Sequence, residues 1–192
     1  MTAVYTMQAN LEFQTERLLL RALNRIDVIA LRDAISQSSD TVGPWLDWCH
    51  EGFDDLDAEA WINRSRQGWL TGSSFELAAF EIETGTFVGC IYISSIDSVA
   101  NMANLGYWIA TASQGRGYAH EASEIAATLA FSHLLLTRLE LVMDPANQAS
   151  IRIAEKLGAT YECKARNRYM YDGSPKEGLV YSLIPEDILC SH

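Results

Sequence analysis

The spacing of apolar and polar positions divides the chain into segments of two different periods. Thr15-Glu16-Arg17-Leu18-Leu19-Leu20-Arg21 alternates, with Arg17, Leu19 and Arg21 on one face and Leu18 and Leu20 on the other, and predicts a first strand. Residues 1–14 before it read as a loose leader. Over Asn24 to Ser36 the apolar positions Ile26, Ile29, Ala30 and Ile35 recur at helical spacing, and Asp27 suits the start of a helix. A polar and then aromatic stretch from Ser36 to Asp54 contains Gly43-Pro44-Trp45-Leu46-Asp47-Trp48. Ala58 to Leu70 predicts a second helix carrying Trp61, Ile62 and Trp69.

The period then shortens to two. Ser74 to Glu83 and Thr86 to Ser95 read as a hairpin around Glu83-Thr84-Gly85, and Leu105 to Ile109 extends it as a third strand. Gly117 to Leu136 is helical, burying Ala119, Ala122, Ile125, Ala126 and Leu129 on one stripe, with His120 and His133 at its edges or in solvent. Arg138 to Met143 is a short strand stopped by Asp144-Pro145-Ala146-Asn147. Asn147 caps a helix from Gln148 to Leu157, and Gly158 closes it. Strands at 160–171 and 178–184 are joined by Asp172-Gly173-Ser174-Pro175. The order β, α, α, β, β, β, α, β, α, β, β has no repeat and no linker. It predicts one α/β domain over 1–192, a mixed sheet with helices on both faces.

Composition changes the picture mainly through charge. The 192 residues hold 14 Lys and Arg against 25 Asp and Glu, a net charge of −11, which argues against nucleic acid or an anionic membrane as the main partner. A cationic amine or basic peptide is compatible with it. No apolar run has the length of a membrane span and no secretory segment opens the chain. Cys49, Cys90, Cys163 and Cys190 are scattered, so they predict buried thiols in a reducing cytoplasm and no metal site.

Candidate chemistry concentrates in residues 104–122. A buried strand there feeds the turn Gln114-Gly115-Arg116-Gly117 and an Ala-rich helix. The first N–H groups of a helix have no internal partner and the helix dipole favours negative charge beside them, so this arrangement presents donors to a phosphate. Gly115 and Gly117 let it approach the backbone closely. Tyr118-Ala119 in place of Lys-Ser/Thr excludes a P-loop, and His120 breaks a G-x-G-x-x-G dinucleotide fingerprint.

Gln114–Ala119 resembles the pyrophosphate loop of GNAT-type N-acetyltransferases. Further motifs occur in the order of that superfamily's ribosomal-protein N-terminal (Rim-type) branch: Thr15-Glu-Arg-Leu-x-Leu-Arg21, Trp45-Leu-x-Trp48, Phe87-Val88-Gly89, Gly106-Tyr107-Trp108-Ile109, Asn147-x-x-Ser150 and Glu155-Lys156-Leu157-Gly158-Ala159. The resemblance implies the GNAT fold, a central, mostly antiparallel splayed sheet between helices, and acetyl-coenzyme A as co-substrate without a metal. It assigns the pyrophosphate to the backbone N–H groups of Gln114, Gly115, Arg116, Gly117, Tyr118 and Ala119, with the Arg116 side chain as an added phosphate contact. The pantetheine arm would pair with Trp108, Ile109 and Ala110, and an N–H of Ile109 or Ala110 would face the thioester oxygen.

In Rim-type enzymes the residue matching Asn147 contacts the coenzyme A arm, and the one matching Ser150 is proposed to protonate the departing thiolate. Trp45, Trp48 and Tyr107 would meet the acceptor. The family's Glu on the strand after the 147–157 helix is here Tyr169, which leaves the general base open between Tyr169, Glu81 and Tyr107. The implied activity is direct attack of an amine on acetyl-coenzyme A, most simply a protein N-terminal α-amine, whose pKa near 7.7–8.0 lies well below that of Lys at about 10.4. A small amine (an antibiotic, polyamine or amino-acid conjugate) is the alternative acceptor, and a non-catalytic acyl-coenzyme A-binding module the alternative class. The resemblance also allows a homodimer.

Overall fold

The structure is a computed structural model and describes residues 10–189. Strand β1 (Glu12–Gln14) pairs antiparallel with β2 (Leu18–Arg21), so from Glu12 on the expected leader is an edge strand instead. Thr15 N–H closes the turn on the Leu18 carbonyl (2.9 Å), and Phe13 packs against the core. Residues 1–9 of that leader lie outside the described residues. Leu18 and Leu20 are buried, as the alternation requires.

Asn24 and Asp27 cap each other's backbone at a short 3-10 turn (Arg25–Asp27), which leads into α1 (Val28–Ser36). Asp27 is buried and receives both guanidinium nitrogens of Arg21 at 2.8 Å. A single turn, α2 (Ser39–Val42), lies inside the stretch read as irregular. Helix α3 (Asp55–Thr71) begins before its apolar pattern does, because Asp54 and Asp57 form a capping box.

The sheet contains β3 (Phe75–Glu81), β4 (Phe87–Asp97), β5 (Met102–Ile109), β6 (Arg138–Met143), β7 (Thr160–Tyr171) and β8 (Ser174–Leu183), in the order β1-β2-β3-β4-β5-β6-β8-β7. Every neighbouring pair is antiparallel but β5 and β6, which are parallel and joined through α4 (Tyr118–Ser132). Helix α4 stops short of the expected Leu136. Leu135 adopts φ +54°, and the N–H groups of Leu134 and Leu136 fold back onto the carbonyls of Leu129 and Ala130 (3.1 and 3.0 Å). β8 starts earlier than expected because Asp172-Gly173 alone makes the turn.

Helices cover both faces. Leu31, Ile35, Ala58 and Ile62 of α1 and α3 pack on Ala78, Phe80, Cys90 and Trp108. On the other face α4 and α5 (Gln148–Lys156) set Ala122, Ala126, Leu129 and Ala154 against Leu18, Leu77, Ile91, Leu105 and Leu139. The small side chains let α4 lie close to the sheet, and its larger anchors matter accordingly: Leu129→Ala would cost on the order of 2–5 kcal/mol. A short helix, α6 (Pro185–Leu189), ends the described chain. Cys49 and Cys90 are buried, whereas Cys163 lies exposed on edge strand β7, and Cys190 is outside the described residues.

One topological feature positions everything that follows. β5 and β6 pair only where Met102–Asn104 meet Arg138–Glu140. Beyond that register they part, and the stretch from Leu105 to Ile109 faces an open gap.

Candidate active site

The gap is the mouth of a cleft of about 650 Å³ that runs between the α4 N-terminus and α5 on one side and the Thr41–Leu46 segment and β7 on the other. Its wall and floor include Tyr92, Gly106, Tyr107, Trp108 and Ile109. Gly106 is required where it stands: a Cβ there would lie 2.1 Å from the Tyr92 ring, which covers it.

The first half of the cleft is made of backbone. Gly115 and Gly117 have φ +74° and +83°, a left-handed geometry that other residues adopt only with strain. This turns the chain so that α4 starts at Tyr118 with no side chain capping it. The first intrahelical bond is donated by Glu121 N–H to the Gly117 carbonyl, so the N–H groups of Tyr118, Ala119 and His120 are left for a ligand. The Gln114 N–H, in contrast, is spent on the Thr111 carbonyl (3.2 Å), and its side-chain amide donates to the carbonyl of Ile109 and to Thr41 (3.0 and 3.1 Å). Gln114 therefore ties the loop to α2 instead of offering its own amide to an anion.

An ionic clamp holds this loop from outside. Arg17 donates from Nη1 to the Arg116 carbonyl (3.0 Å) and from Nε to Glu121 (2.8 Å), and Thr15 also bonds Glu121. The guanidinium groups of Arg17 and Arg116 both lie over the Tyr118 ring, each 4.8 Å from its centroid. Arg116 is paired with Glu81 at 2.5 Å and does not line the cleft, which corrects its expected phosphate contact. Glu81 also accepts from Tyr118 and Thr84. Those bonds, Tyr118's foremost, hold its carboxyl below the usual range. A carboxylate so occupied, and outside the cleft, does not suit a general base.

At the splay the strand itself offers a donor. Ala110 N–H goes to the Val88 carbonyl (2.9 Å), so it is not available as an oxyanion donor and Ala110 does not line the cleft. Successive N–H groups of an antiparallel strand point to opposite sides, which turns the Ile109 N–H toward the gap. Across it, Asn147 caps α5 by accepting from Ser150 N–H (3.0 Å), leaving its amide nitrogen for a ligand. Tyr107 donates from its hydroxyl to the Ser150 carbonyl (3.1 Å), and burial pushes its pKa up, so it acts as a neutral phenol and not as a base.

The second half of the cleft is made of side chains. Trp45 lines it beside Leu46. Trp48 does not: half-buried, it packs edge-on against Trp61 and Trp108, with centroids 4.6 and 5.5 Å away, on the rim of the core under α1 and α3. Tyr169 enters from β7 and donates to Asp144 Oδ2 at 2.9 Å. The hairpin beyond it is tied across the cleft, with Tyr171 bonded to the Gly43 carbonyl (2.9 Å) and Asp172 N–H to Asp47 (3.2 Å).

The chain as a whole has counterparts among known proteins. Residues 17–160 match the model of the acetyltransferase (GNAT) domain. The chain belongs to the GNAT acetyltransferase family. It is 38% identical to a proposed ribosomal-protein-serine acetyltransferase from Vibrio cholerae whose structure superposes with a TM-score of 0.84, covering 93% of this chain and 100% of that one. It is 27% identical over 173 residues to YdaF of Bacillus subtilis, a proposed ribosomal N-acetyltransferase, across 90% of this chain and 93% of the relative. A structure of RimL, the ribosomal L7/L12 alpha-N-protein acetyltransferase, with coenzyme A shares the fold (19% identity, TM-score 0.80, 88% of this chain and 95% of that one).

Within this GNAT domain, three contributors were absent from the sequence expectations. Arg17 and Glu121, which fix the loop, are far apart in sequence, and only the strand-face pattern hinted that Arg17 points outward. Asp144 was read as part of a strand stop. Its position, directly after a strand and before Pro, was the available signal. Among the described residues, no three His, Cys, Asp or Glu side chains gather as a metal site, and no helix is long and apolar enough to cross a membrane.

Proposed function

We propose that the chain transfers an acetyl group from acetyl-coenzyme A to a protein N-terminal α-amine, in the cytoplasm where ribosomal proteins are made. The observation that carries this reading is the uncapped α4 N-terminus opening onto the same cleft as the splayed edge of β5. Free helix N–H groups suit a pyrophosphate, and an unpaired strand edge suits the peptide-like amides of pantetheine. Bound acetyl-coenzyme A supplies the activated thioester. The N–H groups of Gly115 through Ala119 would hold its phosphates, the strand edge at Ile109 and the Asn147 amide its arm, and Ile109 N–H the developing oxyanion. Trp108, whose backbone groups face Cys90 of β4 in the register that occupies Ala110, would not pair with the arm as the sequence suggests. Ser150 stands at the α5 end of the cleft as the donor to the leaving sulfur, and Trp45 and Tyr107 border the acceptor.

An N-terminal amine is the favoured acceptor because it is partly neutral near pH 7–8 and so needs only modest deprotonation. The two relatives with 27% and 38% identity, both named for ribosomal acceptors, support the same choice. The test is thiol release by purified protein with acetyl-coenzyme A and two panels, peptides with free N-termini and small amines such as spermidine. Faster turnover of peptides is expected. Faster turnover of small amines would overturn the acceptor class, and tight binding with no turnover on either panel would make the chain a binding module.

A further inference from the structure

The strand that carries Tyr169 is not regular. Ala165 pairs with Gly178 and Tyr169 with Lys176, so β7 holds extra residues over this span, and Asn167 takes φ +50° within it. Bulges of this kind re-aim side chains near sites. Here it brings both Arg168 and Tyr169 to the cleft. The Arg168 side chain crosses Gly178, whose missing Cβ would sit 3.3 Å from it, and bonds Glu140. With Arg168 committed there, the Tyr169 hydroxyl has Asp144 as its acceptor. Asp144 is itself fixed, its second oxygen accepting from Ala146 N–H (2.8 Å).

The geometry points to Tyr169 and Asp144 as a proton relay that takes over the general-base role in this chain. This rests on the acetyl-transfer reading above. The amine lone pair forms the C–N bond to the thioester carbonyl carbon, giving a tetrahedral adduct with a cationic nitrogen. Tyr169 Oη takes a proton from that nitrogen as its own proton passes to Asp144 Oδ2. The oxyanion then re-forms the carbonyl as the C–S bond breaks. The thiolate takes a proton from Ser150, whose hydroxyl is refilled from solvent while Asp144 returns its proton to solvent. Burial, followed by the bond to Asp144, pushes the Tyr169 phenol up to about 12, which keeps it a protonated shuttle and not a phenolate. The carboxylate is the final acceptor, and Tyr169 is the group that touches the amine.

The experiment compares wild type with Tyr169→Phe, Asp144→Asn and the double variant, using whichever acceptor wild type turns over fastest. Each single variant is expected to lower kcat about 100-fold with the KM for acetyl-coenzyme A and the melting temperature unchanged. The double variant should be no slower than the slower single one, because the two act as a unit. Formate added to Asp144→Ala should restore part of the rate, which a structural role of Asp144 would not produce. A Tyr169→Phe rate within about threefold of wild type, or losses that multiply in the double variant, would overturn the relay while wild-type turnover upholds acetyl transfer. If wild type releases coenzyme A with no amine, the reading and the relay fall together.

Discussion

The two halves of the cleft are built by different means. On the α4 side, ligand-facing groups are main-chain N–H donors, set by two left-handed glycines and held from behind by the Arg17–Glu121–Tyr118–Arg116–Glu81 clamp. On the β7 side the cleft is lined by side chains from distant segments, Trp45, Tyr107, Asp144 and Tyr169, and tied by Tyr171 to Gly43. Backbone donors cannot be changed without changing the fold, so that half suits an invariant ligand. Side chains can be exchanged singly, so the other half is where acceptor choice resides.

If this division holds, substitutions on the two sides affect different constants. Gly117→Trp should abolish measurable acetyl-coenzyme A binding in a calorimetric titration, a loss of about 1000-fold or more, since four kcal/mol suffices for that factor. The indole would stand where phosphate approaches, in a backbone that disfavours any side chain. Gly117→Ala is the control: its methyl group clears Arg17 by 3.6 Å, and it should weaken binding about tenfold from backbone strain alone. Equal binding by Gly117→Trp and wild type would move the cofactor elsewhere. Ser150→Ala belongs to the chemistry between the halves. Its expected signature is a fall in kcat of about 100-fold with the acetyl-coenzyme A KM held, and a change confined to KM would remove it as the acid.

The same division explains what could be read from the sequence. The β5–loop–α4 unit was legible because its signals are local: a strand period, two glycines and a helical stripe that all fall within 104–129. The Asn147 cap and the Arg138–Met143 strand were legible for the same reason. Arg116 was misread because a cation in a phosphate loop looks like a ligand until Glu81, distant in sequence, is placed beside it. Trp45 and Trp48 read alike in the sequence. Only the placement of Trp61 and Trp108 shows that Trp48 is packed away. Ala110 and Gln114 failed as donors through backbone bonds that depend on register and turn geometry, which residue identity does not encode.

Two smaller effects sharpen the contrast. Arg17→Ala removes charged hydrogen bonds to the loop without touching the cleft, so acetyl-coenzyme A affinity should drop about tenfold while acceptor KM stays fixed. An unchanged affinity would show that the loop keeps its shape without the clamp. Trp45→Ala should do the reverse, raising acceptor KM about fivefold, equivalent to about 1 kcal/mol, with cofactor affinity retained. Trp48→Ala separates the two tryptophans: stability should fall by about 3 kcal/mol in chemical denaturation with acceptor KM unchanged. If both substitutions raise acceptor KM, the distinction drawn between them is wrong.

The smallest expected effect concerns Glu81. Its carboxylate accepts from Tyr118, Thr84 and Arg116, which together lower its pKa, so it is ionised throughout the range in which an amine titrates. The sign is that of a depressed acid: whatever the network contributes to stability is present above the ordinary carboxylate pKa and is lost only as pH falls through the lower folded value. A group whose protonation does not change between pH 6 and 9 cannot shape a pH–rate profile there. Glu81→Gln is therefore expected to leave kcat within about twofold and the basic limb of kcat/KM unmoved, with any cost confined to loop order and acid stability. A hundredfold loss in kcat, or a shifted basic limb, would return Glu81 to the chemistry and break the separation between the clamp and the cleft that it surrounds.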